Sequence, residues 1–190
     1  LYGINNINRF LQENNPHSPV TWGILQYKID DPILFNESER FTPIIYNNMK
    51  GRIVGIERRY DGTPNEEIQF DIELETVINE LDAWGQEFEF LENSPAGNSI
   101  IRFVVKKTKS VDDDGEDNSN TIVPFQVAYA VSIHKAQGLE YRSVKIVITD
   151  EVDEMISHSI FYTAITRARE KLKIYWTPEV ENKVLSNMAP

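Results

Sequence analysis

The sequence contains no cysteine among its 190 residues. This absence excludes a disulfide framework, a thiolate metal site and a cysteine nucleophile, and it agrees with a reducing cytoplasm. The sequence also lacks any Gly-Lys pair, so the phosphate-binding loop G-x-x-x-x-G-K-[S/T] does not occur. No run approaches the roughly 18 apolar residues that span a bilayer, and the first residues, "LYGINNINRF", lack the basic and apolar regions of a signal peptide. We therefore expect no membrane partner.

Basic residues are scarce relative to acidic ones, 19 Lys and Arg against 30 Asp and Glu, and the formal net charge is −11. Such a charge usually argues against nucleic acid, because phosphate binding depends on Lys and Arg. The acidity is confined to one region, however. Residues 1–125 contain 11 Lys and Arg against 22 Asp and Glu, whereas residues 126–190 contain eight of each. The C-terminal part is therefore electrically neutral.

Two patterns divide the chain. The opening "INNINRFLQENNP" predicts a short helix that ends before Pro16, and short β-like runs separated by turns then continue to about Val123. The clearest of these runs are "DPILF", "KGRIVGIERRY", "EIQFDIEL", "EFEFL" and "SIIRFVVKK". Several short strands at close spacing predict a small antiparallel barrel or sandwich, here over residues 26–123. Its last part, residues 111–120 ("VDDDGEDNSN"), reads as a polar acidic loop.

Beyond that loop the pattern changes to α/β. The runs "SVKIVIT" and "LKIYW" predict strands, and "SHSIFYTAITRAREK" and "PEVENKVLSNM" predict helices. Because strand and helix alternate, we expect parallel strands with crossover connections.

The stretch "SIHKAQGLEY", residues 132–141, concentrates polar side chains in a chain that has only three histidines. These ten residues alone fit a solvated surface turn, with Gly138 ending it, about as well as they fit a site. Ser132 and His134 do not form a convincing catalytic pair, since no carboxylate is placed to orient the imidazole. The three histidines also lack paired spacing, so the sequence predicts no metal site.

A second stretch, "FYTAITRARE", covers residues 161–170. On a helix, one side would carry Phe161, Ile165 and Ala168 inward and another side would carry Thr163, Arg167 and Glu170. Arginines on such a helix are usually surface charges. An arginine held at a helix end and facing a cleft, however, can neutralise the charge that develops during phosphoryl transfer.

In this order, the two stretches resemble motifs V and VI of superfamily 1 helicases, and most closely the RecD-like branch. "SIHKAQGLEY" is similar to motif V and "YTAITRAR" to motif VI, with a hydrophobic strand between them. "GINNINRFLQ" resembles the segment after motif IV, and "YNNMKGRIVGIE" resembles the start of a Src-homology-type barrel. That start usually has Asn-Gly, whereas Asn48 here is followed by Met49.

The resemblance implies an α/β fold, in which residues 1–25 and 124–190 belong to a RecA-like parallel-sheet motor domain. Residues 26–123 would be a small antiparallel β-barrel inserted into that domain. It also implies ATP and Mg²⁺ as cofactors, both held mainly by an N-terminal motor domain of the same full-length chain. A first residue Leu rather than Met agrees with a piece of a longer polypeptide.

The resemblance further assigns roles to particular residues. Arg167 matches the motif VI arginine finger, the predicted catalytic residue. The nucleotide would be contacted by Gln137, Gly138 and Glu140, with Glu140 accepting hydrogen bonds from the ribose. Single-stranded DNA would be contacted by Ser132, His134 and Thr163.

Two other functions stay open. The chain could be a non-catalytic protein-interaction module derived from a degenerate helicase motor, since an acidic surface repels phosphates. It could also be a hydrolase using Asp150 and Glu151, which end the strand-like run "KIVITDE" as in a magnesium-binding Walker B motif. We disfavour the second, because a Walker B carboxylate needs an adjacent phosphate-binding loop and the chain has none.

Overall fold

The structure, a computed structural model, describes residues 3–36, 38–60, 66–107, 122–150 and 156–187. The chain forms two compact units, Leu1–Ala130 and Val131–Pro190, which we call the first and second units. The predicted acidic loop, residues 111–120, lies outside the described residues. No helix within the described ranges is long and apolar enough to cross a membrane.

The first unit contains one helix and eight strands among the described residues. They are α1 (Ile4–Glu13), β1 (Val20–Trp22), β2 (Leu25–Tyr27), β3 (Pro32–Phe35), β4 (Lys50–Tyr60), β5 (Glu66–Leu74), β6 (Glu89–Asn93), β7 (Ser99–Lys106) and β8 (Phe125–Val127). Strands β1 and β2 pair with each other, and the other six form an antiparallel sheet in the order β6-β7-β5-β4-β3-β8. The helix and the five β-like runs predicted from the sequence are confirmed.

A closed barrel over residues 26–123 is not found in the described part of the chain. Strand pairing runs from β6 to β8 and stops there, so the two outer strands are not joined. Closure requires the first and last strands to share a ladder of hydrogen bonds, and β8 has only three residues to offer. The sheet is therefore open, although the division of the chain into a motor domain and an insert stays a prediction.

The core of the first unit lies on one face of this sheet. Burial alternates along β7, as expected where one face is covered and the other is solvated. Aromatic rings dominate the core: Tyr27, Phe35, Phe41, Phe70, Phe103 and Phe125. Phe70 and Phe125 meet edge to face with their ring centroids 5.0 Å apart. This geometry stabilises an aromatic pair by more than the burial of its apolar surface alone.

Helix α1 packs through its polar face. Asn8 and Gln12 are its buried residues, whereas Phe10 is 65% exposed. The reason is Asp31, which is completely buried and needs hydrogen-bond donors around it. Gln12 Nε2 donates to one of its carboxylate oxygens at 2.5 Å, and Asn15 Nδ2 donates to the other at 3.0 Å.

The same cluster holds the end of the first unit. The hydroxyl of Tyr129 donates to Asp31 Oδ1 at 2.9 Å. Asn8 forms two hydrogen bonds with the backbone of Ala130, one to the carbonyl oxygen at 2.9 Å and one from the amide at 2.8 Å. The segment just before the stretch Ser132–Tyr141 is therefore fixed to α1 by polar contacts rather than by apolar packing.

The second unit contains β9 (Tyr141–Val147), α2 (His158–Ile165), β10 (Ala168–Tyr175) and α3 (Pro178–Ser186). Strands β9 and β10 pair in parallel, with Leu172 opposite Val144, which confirms the predicted parallel strands. The helices cover an apolar cluster formed mainly by Ile146, Ile148, Ile156, Ala164, Val180 and Val184.

The prediction that "SHSIFYTAITRAREK" is helical throughout is wrong in its second half. Helix α2 ends at Ile165, and the residues from Ala168 onward form β10. The hydroxyl of Thr166 donates to the carbonyl oxygens of Tyr162 and Thr163 at 2.8 and 3.1 Å, which satisfies acceptors at the helix end. Pairing with β9 then outweighs the helical pattern of the charged residues that follow. Ala168 and Glu170 are consequently strand residues.

Candidate functional site

The stretch Ser132–Tyr141 folds as a compact turn followed by the start of β9. Ala136 N donates to the carbonyl oxygen of Ser132 at 3.0 Å, and Lys135 N donates to Ser132 Oγ at 3.3 Å. Ala136 is buried, which anchors the turn, whereas His134 and Gln137 are exposed. The turn therefore directs polar side chains toward solvent while its backbone stays fixed.

Gly138 ends this turn in a left-handed conformation with φ of +77°. A Cβ placed there would meet nothing within 4 Å, so the backbone angle, and not lack of space, requires glycine. Leu139 N then donates to the carbonyl oxygen of Ala136 at 3.1 Å. The reversal presents the carbonyl oxygen of Leu139 to the next element of the site.

That element is Arg167, which follows the end of α2. Its Nη1 donates to the carbonyl oxygen of Leu139 at 3.0 Å, and its Nε donates to the carbonyl oxygen of Thr163 at 2.9 Å. Its Nη2 donates to Thr166 Oγ1 at 3.0 Å. The backbone repeats the connection, because Tyr141 N donates to the carbonyl oxygen of Arg167 at 2.8 Å. The two stretches singled out in the sequence thus meet at one guanidinium.

All three acceptors of Arg167 are uncharged oxygens. Within the described ranges, no carboxylate lies at ion-pair distance from this guanidinium. A guanidinium has five N–H donors, and these bonds use three of them. Its position at the C-terminal end of α2 is favourable for a cation. The geometry therefore fits both a helix-capping role and a positioned positive charge with donors to spare.

Glu140, the predicted ribose acceptor, forms an ion pair with Arg169. Arg169 Nε lies 2.6 Å from Glu140 Oε2, and both side chains are at least half exposed. The helix predicted over "FYTAITRARE" would include Arg169. Arg169 lies instead on β10, beside the strand that Glu140 precedes, and so contacts a predicted site residue.

A similar ion pair lies further along the same two strands. Arg142 Nε donates to Glu170 Oε2 at 2.7 Å, and the Arg142 side chain is 84% exposed. Sequence reasoning missed both pairs, because it assigned Arg169 and Glu170 to a helix. The partners of each ion pair meet because β9 and β10 pair in parallel, with Ala168 opposite Tyr141. The sequence pattern does not show this pairing.

We call the hydrogen-bonded contact between Arg167 and Leu139 the Arg167 junction. The remaining predicted residues belong to the turn and to the helix that this junction connects. Ser132 is half-buried, its hydroxyl oxygen accepting from the turn backbone. Thr163 is half-buried on α2, and its carbonyl oxygen accepts from Arg167. The nucleotide roles of Gln137, Gly138 and Glu140 and the DNA roles of Ser132, His134 and Thr163 stay predictions.

The junction lies at the amino-terminal ends of β9 and β10, since Tyr141 and Ala168 are their first residues. Open α/β sheets usually bind ligands at the opposite, carboxyl-terminal edge. That edge leads to a concavity of about 490 Å³ lined by Asp150, Thr177, Glu179, Val180 and Lys183. Asp150 is thus separated along the strands from the residues that resemble motifs V and VI.

Residues 127–175 match a family described as the UvrD-like helicase C-terminal domain. These residues include β9, α2, β10 and the Arg167–Leu139 junction. Over these residues the chain is similar to the C-terminal domain of UvrD-like helicases, which confirms the resemblance to superfamily 1 helicases seen in motifs V and VI.

Proteins of the RecD branch are among the relatives that this chain is similar to. The ATP-dependent RecD2 DNA helicase of Deinococcus radiodurans is 37% identical over 85 residues, which cover 42% of this chain and 12% of that protein. The RecBCD enzyme subunit RecD of Buchnera aphidicola is 30% identical over 95 residues, covering 46% of this chain and 16% of that protein. A Pif1 helicase structure from Bacteroides, in complex with ADP-AlF3 and ssDNA, shows 15% identity and a TM-score of 0.44. The structural match covers 90% of this chain and 37% of the Pif1 chain.

Proposed function

We propose that this chain is the C-terminal part of an ATP-dependent DNA helicase or translocase. It would supply the motif V loop, residues 132–141, and the motif VI arginine finger, Arg167. The observation that carries the proposal is the hydrogen bond from Arg167 to the carbonyl oxygen of Leu139, because it joins the two motifs in one structure. The family match over residues 127–175 supports the same assignment.

Arg167 has the properties that an arginine finger needs. Its bonds to Thr163, Thr166 and Leu139 fix the guanidinium without neutralising it. Bound ATP supplies the phosphoryl group, and charge builds on that group in the transition state. A planar guanidinium with unused donors can bind this charge with two parallel hydrogen bonds. Arg167 thus stabilises the transition state more than the ground state.

The nucleotide contacts would come from the end of the turn. Gln137 is exposed, and Gly138 places no side chain beside the backbone. The Glu140 carboxylate is half exposed and held by Arg169, which leaves oxygen lone pairs for the ribose hydroxyls. These residues fit a ribose and terminal phosphate, but they offer no cradle for the remaining phosphates.

Coupling between fuel and DNA follows from the same hydrogen bonds. Arg167 contacts the turn through Leu139 and Tyr141, and the turn carries Ser132 and His134. A shift of Arg167 as the γ-phosphate is lost therefore changes the position of the turn that contacts DNA. The affinity for DNA and the state of the nucleotide are then linked.

The second unit also has the features of part of a larger sheet. Its sheet has only two strands among the described residues, and they are parallel. Parallel sheets normally have both faces covered, yet Val147, Leu172 and Tyr175 are all more than 40% exposed. We therefore propose that further segments of a longer polypeptide cover these side chains. An N-terminal motor domain within it would hold most of the ATP and Mg²⁺.

The alternative is a protein-interaction module without motor activity. The acidity of residues 1–125 favours this function for the first unit, because an acidic surface repels phosphates. The two functions differ in what the longer polypeptide contains. The test is to sequence the upstream coding region and assay the encoded full-length protein for ATP hydrolysis with and without single-stranded DNA. A phosphate-binding loop and DNA-stimulated hydrolysis would support the motor, whereas the absence of both would favour the interaction module.

A further inference from the structure

The loop between β5 and β6, residues 75–88, has a shape that its own hydrogen bonds fix. Ser99 is completely buried, and its Oγ accepts from Ile78 N at 2.9 Å. Ser99 N donates to the carbonyl oxygen of Thr76 at 3.0 Å. The 3₁₀ turn Glu80–Ala83 begins with a reciprocal capping box between Asn79 and Asp82. This β5–β6 loop is therefore a built surface, anchored to β7.

Its apolar side chains point in two opposite directions. Ile78 and Ala83 pack against the core of the first unit. Val77, Leu81 and Trp84 instead are 63%, 82% and 89% exposed. Residues three apart lie on the same side of a 3₁₀ turn, so Leu81 and Trp84 form one outward face. Scattered exposed apolar residues are ordinary, but three within eight residues, including a tryptophan, indicate an interaction surface.

The stretch of sequence that contains this loop carries acidic residues and no basic ones. From residue 60 to residue 101 the sequence contains no Lys, Arg or His and eleven Asp and Glu. On the loop itself, Glu75 pairs with Lys50 and Glu87 pairs with Arg40. Glu80 and Asp82 have no lysine or arginine at ion-pair distance in the described part of the chain. Two uncompensated carboxylates, Glu80 and Asp82, thus flank Leu81 of the exposed apolar face in the sequence.

We propose that the β5–β6 loop is a docking surface for a basic amphipathic peptide segment of a partner protein. The apolar side of that segment would cover Leu81 and Trp84, and its Lys or Arg residues would face Glu80 and Asp82. The charge decides between a peptide and nucleic acid. Tryptophan can stack on bases, but Glu80 and Asp82 on the same loop repel a phosphate backbone. This surface belongs to the first unit alone and does not depend on the helicase assignment.

The expected energetics make Trp84 the anchor. Tryptophans near the centre of an interface often carry most of the binding free energy. Acidic residues at its rim mainly raise the association rate and make it sensitive to salt. Loss of Trp84 should therefore weaken binding more than loss of Glu80, and added salt should weaken binding by Glu80→Lys less than binding by the wild type or Trp84→Ala.

The test uses the 190-residue chain and a small panel of fluorescein-labelled peptides of about 16 residues, with Leu at helical spacing and Lys or Arg elsewhere. A matched peptide carries Glu in place of every basic residue, and an oligothymidylate of similar length probes nucleic acid. Binding is measured by fluorescence anisotropy for the wild type, Trp84→Ala and Glu80→Lys. Ile24→Ala is the control variant, because Ile24 is 94% exposed at a turn elsewhere in the first unit. Circular dichroism confirms that each variant is folded.

We expect saturable binding of at least one basic peptide, weakened by about tenfold or more in Trp84→Ala, reduced in Glu80→Lys and unchanged in Ile24→Ala. The acidic peptide should not bind. Failure of every basic peptide to bind at millimolar concentration would overturn the proposal, as would equal losses in Trp84→Ala and Ile24→Ala. Binding of the oligothymidylate that depends on Trp84 would show a base-stacking site instead. Self-association that Trp84→Ala abolishes would show that the occupant is a second copy of the chain.

Discussion

Arg167 and Leu139 lie 28 residues apart in sequence and are joined by a hydrogen bond of 3.0 Å from Nη1 to a backbone carbonyl oxygen. Because the acceptor is a backbone oxygen, the hydrogen bond does not depend on the side chain at position 139, provided that the turn keeps its shape. The bond therefore depends on Arg167 and on the left-handed Gly138 that precedes the acceptor. This relationship connects the two helicase-like stretches in the second unit.

Glu140 and Arg169 provide the first prediction. In the full-length protein, Glu140→Ala should raise KM for ATP by about tenfold, because a charged acceptor of the ribose hydroxyls is lost. Arg169→Ala should raise KM less, by up to about fivefold, since an exposed ion pair contributes only about 0–1 kcal/mol. Steady-state ATP hydrolysis at varied ATP concentration measures both.

Glu170→Ala is the matched control, because Glu170 pairs with Arg142 at 2.7 Å on the same two strands but has no predicted nucleotide contact. Its KM should equal that of the wild type. If Glu140→Ala and Glu170→Ala give the same KM, Glu140 does not contact the nucleotide.

Asp31 provides the second prediction. Each Asp31 carboxylate oxygen accepts two hydrogen bonds, one oxygen from Gln12 Nε2 and Lys28 N and the other from Asn15 Nδ2 and the Tyr129 hydroxyl. Asp31→Asn should destabilise the chain by about 3 kcal/mol, because these four donors lose a buried charged acceptor and two of them face an NH₂ group instead. Asp30→Asn is the control: Asp30 is exposed, pairs with Arg52, and has a positive φ that asparagine tolerates. Urea unfolding should show a change of less than about 1 kcal/mol for Asp30→Asn. Similar losses at both positions would contradict the account of the buried cluster.

Tyr27 and Tyr129 differ in a way that conservative substitutions can test. The Tyr27 hydroxyl is buried and has no hydrogen-bond partner among the described residues, whereas the Tyr129 hydroxyl donates to Asp31. Tyr27→Phe should therefore leave stability unchanged or raise it by about 1 kcal/mol, and Tyr129→Phe should lower it by about 1 kcal/mol. Opposite signs in urea unfolding at neutral pH are the expected result.

Tyr27 also predicts a dependence on alkaline pH. Burial raises the pKa of Tyr27 from 10.0 to about 12, so between these values the folded state retains a proton that the unfolded state has lost. Folding stability is consequently full below about pH 10 and falls as the pH rises toward 12. Urea unfolding at several pH values should show a smaller alkaline loss for Tyr27→Phe than for the wild type. An identical loss would mean that Tyr27 titrates normally.

The behaviour of the 190-residue chain alone is the next prediction. It should hydrolyse no ATP and bind nucleotide weakly, because the sequence lacks a phosphate-binding loop. Its affinity for single-stranded DNA should be low and should fall as salt is added, since residues 126–190 carry no net charge. A phosphate-release assay and anisotropy of a labelled oligonucleotide check these points. Robust hydrolysis would contradict the proposed division of the active site.

Sequence periodicity predicted most strands, because each has a local pattern. The run "KGRIVGIERRY" coincides with β4 (Lys50–Tyr60), and "SVKIVIT" and "LKIYW" each fall largely within a strand of the parallel pair. The open sheet was not predicted, because barrel closure depends on contacts between distant strands and not on local pattern. The three-residue β8 gives too short a signal to place in the sheet.

The site was predicted in part. The residues of the Arg167 junction carried a sequence signal, since they occur in two stretches that resemble helicase motifs. Their contacts did not, because the helical pattern of "TRAREK" concealed a strand that begins at Ala168. The Glu140–Arg169 pair therefore could not be anticipated. The polar packing of α1 against Asp31 was equally hidden, since apolar spacing is the usual guide to a buried helix face.

The central claim is that Arg167 is an arginine finger and more than a helix cap. The measurement is DNA-stimulated ATP hydrolysis by the full-length protein for Arg167→Ala, Arg167→Lys and Arg142→Ala, with each variant first shown to be folded. Arg142 is the matched control, being an exposed arginine on the neighbouring strand whose partner is Glu170. We predict that Arg167→Ala lowers kcat by a factor on the order of 10³ with a smaller effect on DNA binding. Arg167→Lys should stay poor, and Arg142→Ala should be near wild type. Equal, modest losses for Arg167→Ala and Arg142→Ala would show that Arg167 only caps α2.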